Sequence, residues 1–157
     1  MTEITIAVVE DDHQHVELFR NNLSPAGVRV DIQVFRSGQE LLSFLFRTGD
    51  FAHRPTGLKL LVLLGLHLTE MDGVEVLRRV KGEIETRSVP VVVFSSNDAR
   101  ELVEECYQLG CNAFITKPRE SAGFVDAIRC LGSFLSVIKV PPCDGLVEPF
   151  SAVAKVL

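Results

Sequence analysis

Five short apolar runs, each followed by an amphipathic stretch, set the limit on what this chain can fold into. The run Ile4–Val9 predicts a buried strand. After it, Val16, Phe19 and Leu23 fall on one face of a helix, which Ser24-Pro25-Ala26-Gly27 stops. Val28–Phe35 alternates with a period near two and predicts a second strand. A helix is expected over Glu40–Phe46, then a turn-rich stretch from Gly49 to Gly57. Leu60–Leu64 is apolar without alternation, as suits a strand covered on both faces. Asp72 is a candidate N-cap for a third helix with Val74, Leu77, Val80 and Ile84 on one face. Val91–Phe94 follows Pro90 as a fourth strand. Asp98 is expected to start a helix with Ala99, Leu102, Cys106 and Leu109 inward, closed by Gly110. Ala113–Thr116 is the fifth strand. The last helix carries Phe124, Ile128, Leu131, Leu135 and Ile138, and Pro141-Pro142 ends it.

Such an alternation predicts an α/β fold, with a doubly wound five-stranded parallel sheet and helices on both faces. Right-handed crossovers leave few topologies, and order 2-1-3-4-5 is the expected one. With 157 residues, one domain is expected over 3–138, with a tail over 139–157. Phe150, Val153 and Val156 give that tail an amphipathic character suited to packing on the domain or on a partner. The net charge of -5 gives no electrostatic reason to bind nucleic acid or an anionic membrane. The N-terminus lacks the basic start and long apolar run of a signal peptide, and no run approaches a membrane span. Cys106, Cys111, Cys130 and Cys143 show no metal-binding spacing, which fits a reduced, cytoplasmic setting.

In a doubly wound sheet, ligands sit beyond the carboxyl ends of the strands, where the strand order reverses. Strand 1 ends at Glu10-Asp11-Asp12, strand 3 at Gly65-Leu66-His67, strand 4 at Ser95-Ser96-Asn97 and strand 5 at Lys117-Pro118. Carboxylates, a hydroxyl and an ammonium thus converge on one rim, and hard oxygen donors of this kind suit Mg²⁺. Taken singly, each has a plain alternative. The acidic run is also a solvated helix start, Ser95 a turn residue, and Lys117 a surface lysine before a turn proline.

Four segments resemble the receiver domain of two-component response regulators. They are Val8-Val9-Glu10-Asp11, Met71-Asp72-Gly73, the run Val91–Ser96, and the run Gly110–Pro118. The resemblance covers about residues 3–138, and the general look is similar to single-domain regulators that partner bacterial phytochrome kinases. It implies a flavodoxin-like signalling module, not an enzyme, that takes a phosphoryl group from a histidine kinase on an aspartate ending strand 3. Carried over, Glu10 and Asp11 would hold Mg²⁺, with the main-chain carbonyl of His67 as a further ligand. Ser95 would contact a phosphoryl oxygen and Lys117 would pair with it, while Phe114 would be the aromatic that switches with Ser95. The face of helix 4, strand 5 and helix 5, carrying Cys106, Tyr107 and Phe114, would bind partners or form a homodimer. A cis peptide at Lys117-Pro118 is expected.

The acceptor position, however, holds Gly65, one residue after Leu60–Leu64. Glycine has no oxygen to attack phosphorus, so no acyl phosphate can form there. A lost carboxylate also means weaker Mg²⁺ binding, and it leaves the remaining carboxylates and Lys117 to pair with each other, holding the rim in one state without a phosphoryl group. Three explanations stand: a pseudo-receiver that works by protein contact alone; a variant of a normal phosphoaccepting receiver; or phosphorylation elsewhere, at His67, Thr69 or Ser96. Only 19 residues follow residue 138, too few for a helix-turn-helix unit, so output is expected through a sensor kinase or another signalling protein. Glu10-Asp11-Asp12 argues against a flavodoxin-type phosphate loop, and His13, His15, His53 and His67 are expected to be exposed rather than metal ligands.

Overall fold

The computed structural model describes residues 2–24 and 28–144. Strands β1 (Thr2–Val9), β2 (Val28–Phe35), β3 (Leu60–Gly65), β4 (Val91–Ser95) and β5 (Ala113–Thr116) form one parallel sheet in the order β2-β1-β3-β4-β5. Helices α1 (His13–Asn22), α2 (Gly38–Phe46), α3 (Gly73–Gly82), α4 (Arg100–Leu109) and α5 (Ser121–Leu135) alternate with them, and a 3-10 turn, Gly49–Phe51, follows α2. The expected doubly wound architecture is the observed one.

Side chains of a strand point alternately to opposite faces, and the core divides accordingly. Ile4, Ile6, Val8, Leu61, Leu63, Val92 and Phe94 meet Phe19 of α1, Leu23 at its C-cap, and Phe124, Ile128, Leu131 and Leu135 of α5. Ala7, Val9, Leu60, Val62, Leu64, Val91 and Val93 meet α2, α3 and Cys106 of α4. Every residue of β3 is buried, which is why its sequence shows no alternation.

Several expected boundaries move, each for a local reason. Ser37 caps α2, its hydroxyl accepting from the Glu40 amide at 3.2 Å, so Gly38 opens the helix two residues earlier than expected. Helix α3 ends at Gly82, so Ile84 is not on its inner face and is 62% exposed. Helix α4 begins at Arg100 after an N-cap at Ala99, whose amide is held by Asn97 Oδ1 at 3.1 Å. Asp98 accepts from Thr116 Oγ1 instead of starting the helix, and Ala99 is exposed rather than inward. Ile138 lies beyond the end of α5. Cys106 is wholly buried, so it belongs to the core and not to the face of α4, β5 and α5. No peptide bond among the described residues is cis, which corrects the expectation for Lys117-Pro118.

After α5 the chain crosses back beneath the sheet. Val140 and Cys143 are buried, and the Cys143 amide donates to the Leu58 carbonyl at 2.8 Å. Arg54 fixes this strap. Its guanidinium donates to the carbonyls of Phe44 and Leu45 at the end of α2 and, in a forked pair, to Asp144 at 2.7 and 3.0 Å. Burial pushes the Asp144 carboxyl up, but the bonds from Arg54 outweigh it and hold the group below its ordinary value. This contribution to stability is therefore present above about pH 4 and fades as the pH falls through the depressed value. The rest of the predicted amphipathic tail, residues 145–157, lies outside the described residues. Among the described residues no helix is long and apolar enough to cross a membrane.

Two measurements check this packing. A Cβ added at Gly132 of α5 would stand 2.4 Å from the Leu23 carbonyl at the end of α1. Gly132→Ala should therefore cost about 1–3 kcal/mol in urea unfolding, because backbone cannot move aside as a flexible side chain would. Burial pushes the Cys106 and Cys143 thiols up to about 11, while Cys130 is exposed. Native protein at pH 8 should lose one thiol rapidly to an alkylating reagent and all four after unfolding; rapid loss of a second would contradict the buried placements.

Candidate functional site

The period of two that builds the core also builds the rim. Glu10 continues the row Ile6–Val8 on β1, Gly65 the row Leu61–Leu63 on β3, and Lys117 the row Ala113–Ile115 on β5. Backbone bonds hold the two outer residues in line with the strands: the Glu10 amide donates to the Phe35 carbonyl at 3.1 Å, and the Lys117 amide to the Ser95 carbonyl at 2.8 Å. The three positions therefore converge on the side of the sheet covered by α1 and α5.

What fills the centre is an ion pair. Lys117 Nζ stands 2.9 Å from Glu10 Oε2, with the two side chains only 13% and 9% exposed. The other carboxylate oxygen, Glu10 Oε1, accepts from the Asp12 amide at 3.1 Å. A Cβ placed on Gly65 would lie 3.3 Å from Glu10 Oε2 and 3.0 Å from the Val9 carbonyl. The carboxylate of strand 1 thus lies over the third-strand position, which has no side chain of its own.

His15 completes the arrangement. Its Nδ1 is 3.1 Å from Lys117 Nζ, its ring stacks on Phe124 at 4.8 Å, and its Nε2 is 3.6 Å from Asp12 Oδ2. An ammonium can only donate, so Nδ1 is the acceptor and the proton sits on Nε2, facing Asp12. Asp12 also caps α1, accepting from the amides of Gln14 and His15. Lys117 lies over the Phe124 ring at 5.7 Å. Asp12 was expected in the acidic run at the rim and His15 as an exposed residue; the structure makes both part of the lysine's setting. A histidine two residues into a helix carries no sequence mark of this role, because Phe124 and Lys117 reach it from over a hundred residues away.

The other expected residues are placed differently. Ser95 is buried, and its hydroxyl accepts from the Asn97 amide at 3.1 Å, so it is engaged with its own turn. Phe114 points to the opposite side of the sheet, half-buried against the core under α4. Its amide donates to the hydroxyl of Tyr107, a side chain half exposed on α4. Asp11 and His67 are exposed at the edge of a cleft of about 350 Å³ that also includes Gly65, Ser96 and Arg119. Arg119 was not singled out from the sequence, since one more basic residue after a turn proline carries no pattern. The oxygen donors available to a cation are few: both oxygens of Glu10 are engaged and position 65 supplies none. Among the described residues no group of three or more His, Cys, Asp or Glu side chains is arranged to hold a metal ion.

Removing one member of a buried pair leaves the other charged and unsolvated. Lys117→Met should lower the unfolding free energy by about 2–4 kcal/mol, and adding Glu10→Gln should recover most of it. Urea denaturation of the two variants tests this, and equal midpoints for Lys117→Met and wild type would show that the pair does not hold the rim.

Comparison with known proteins supplies the family. Residues 6–129 match the family described as response regulator receiver domain. The response regulator Rcp1 of Synechocystis is 28% identical over 137 residues, spanning 87% of this chain and 92% of its own length. A receiver domain from Rhodospirillum rubrum superposes with a TM-score of 0.82 at 40% identity, covering 90% of this chain and all of that one. The phosphorylated cyanobacterial phytochrome response regulator RcpA superposes with a TM-score of 0.80 at 29% identity, covering 89% of this chain and 99% of that one.

Proposed function

The chain belongs to the response regulator receiver family, a module of two-component signalling, and from that premise we propose that it is a receiver without a phosphoacceptor at the third strand, which signals through protein contact. One observation carries the reading. At the end of β3, where the family's acceptor aspartate is expected, stands Gly65, and the Glu10 carboxylate lies over it, paired with Lys117 at 2.9 Å. Phosphoryl transfer needs an in-line oxygen nucleophile and a cation to neutralise the charge that develops. Position 65 provides no such oxygen, and Glu10 already neutralises Lys117.

The consequence is a rim held in one state. In this reading the ammonium that would meet a phosphoryl oxygen is satisfied by Glu10 and His15, so nothing draws Ser95 away from the Asn97 amide. Mg²⁺ binding is weak, because a cation must compete with Lys117 for Glu10 and has Asp11 and the His67 carbonyl as its remaining protein donors. Partners are a sensor histidine kinase or another cytoplasmic signalling protein, and the likeness to RcpA supports a phytochrome kinase among them. The face of α4, β5 and α5, with Tyr107 half exposed, is the surface proposed for such a partner or for a second copy.

Incubation with acetyl phosphate and Mg²⁺, followed by intact mass, tests the reading. No gain of a phosphoryl group is expected for the wild type, and Gly65→Asp should gain one and bind Mg²⁺ at least tenfold more tightly. A gain in the wild-type protein would overturn the proposal, and its position would decide between Glu10, the acid nearest the rim's centre, and His67, Thr69 or Ser96.

A further inference from the structure

At the end of the sheet opposite the rim, between the carboxyl end of α2 and the loop after α3, lies a second cleft of about 380 Å³. Its walls include Leu45, Phe46, Ala52 and Ile84, and Ile84, at 62% exposed, is among the few large apolar side chains left in water among the described residues. Isolated exposed apolar residues are ordinary; one at the lip of a partly apolar cleft suits a partner. The signalling site does not use this cleft.

The position of Asp144 identifies the partner. Asp144 lines the cleft, and the forked bond from the buried Arg54 fixes it there. Thirteen residues follow it, 145–157. Leu146 is two residues on, within about 7 Å of the anchored α-carbon. Beyond Pro149, which can open a helix but not continue one, Phe150, Val153 and Leu157 fall at helical spacing. The charges also match in kind: Arg47 and Glu85 line the cleft, and the segment carries Glu148 and Lys155.

We propose that residues 145–157 dock on their own domain, with Leu146 entering the cleft beside Ile84. The Arg54–Asp144 pair is then the hinge pin: it delivers the segment to the cleft at a fixed point, so that docking is intramolecular and its loop-closure cost small. The occupant is this chain's own segment 145–157 rather than a second copy or another protein. The proposal is independent of the reading of the rim.

The test uses the full chain with Ile84→Cys and Leu146→Cys in a Cys130→Ser background, oxidised at micromolar concentration, then run without reductant and peptide-mapped. A disulfide between positions 84 and 146 within one chain is the expected product. The same bond between two chains would assign the cleft to a second copy's segment, and absence of the bond would remove the segment from it; either result overturns the proposal. Amide exchange gives a second measurement that needs no engineered bond. Leu146→Glu should speed exchange at Thr48 and Arg87, which flank the cleft, by roughly tenfold, the effect of withdrawing one buried leucine. Unchanged exchange at both amides would count against docking.

Discussion

The third strand is buried at every position, and the rest of the molecule is arranged around that fact. Five successive apolar side chains cannot be covered by one layer, so helices must close on both faces of the sheet. Once they do, the strands' alternating side chains sort into two cores, one under α1 and α5 and one under α2, α3 and α4. The backbone of β3 has no contact with water at its middle, and its polar groups are met by β1 on one side and β4 on the other. That central placement puts position 65 at the point where the strand order reverses, which is where an α/β sheet offers a site.

At that point the chain has glycine, and charge balance does the rest. Lys117 cannot stand almost buried without a counter-ion, and the carboxylate that reaches it is Glu10 at the end of β1, across the ends of β3 and β4. With no side chain at position 65, Glu10 Oε2 can lie over the glycine and meet the ammonium directly. His15 and Phe124 then complete the lysine's surroundings from α1 and α5. In the proposed reading, Glu10 and Lys117 close the rim by pairing with each other rather than with a cation and a phosphoryl group.

The far end of the domain is organised by a different ion pair with a similar logic. Arg54 is buried against Phe44, meets the last carbonyls of α2 and is neutralised by Asp144. It ties the strap after α5 to the loop before β3. The two pairs lie at opposite ends of the sheet, one beside the residues that would receive a signal and one beside the exit of the terminal segment.

Much of this was legible in the residues themselves. Hydrophobic period distinguishes strands from helices, so the number, order and kind of elements followed from it, and β2 and β5 fall where the pattern placed them. The strand ends also named Glu10, Gly65, Ser95 and Lys117 as one rim, because parallel strands must end on the same side. Boundaries moved where a local hydrogen bond outweighed the pattern, as at Ser37 and at Asn97, which displaced the helix start from Asp98. That a carboxylate of the rim would pair with Lys117 follows from the acid missing at position 65; which carboxylate, and in what surroundings, was not in the sequence. That Glu10 would lie over Gly65, that His15 would accept from Lys117 while stacked on Phe124, and that Ser95 would face its own turn depend on distances between segments far apart in the chain. Periodicity is a property of neighbours and survives in one dimension; the choice of a counter-ion is made by proximity, and only the folded chain decides it.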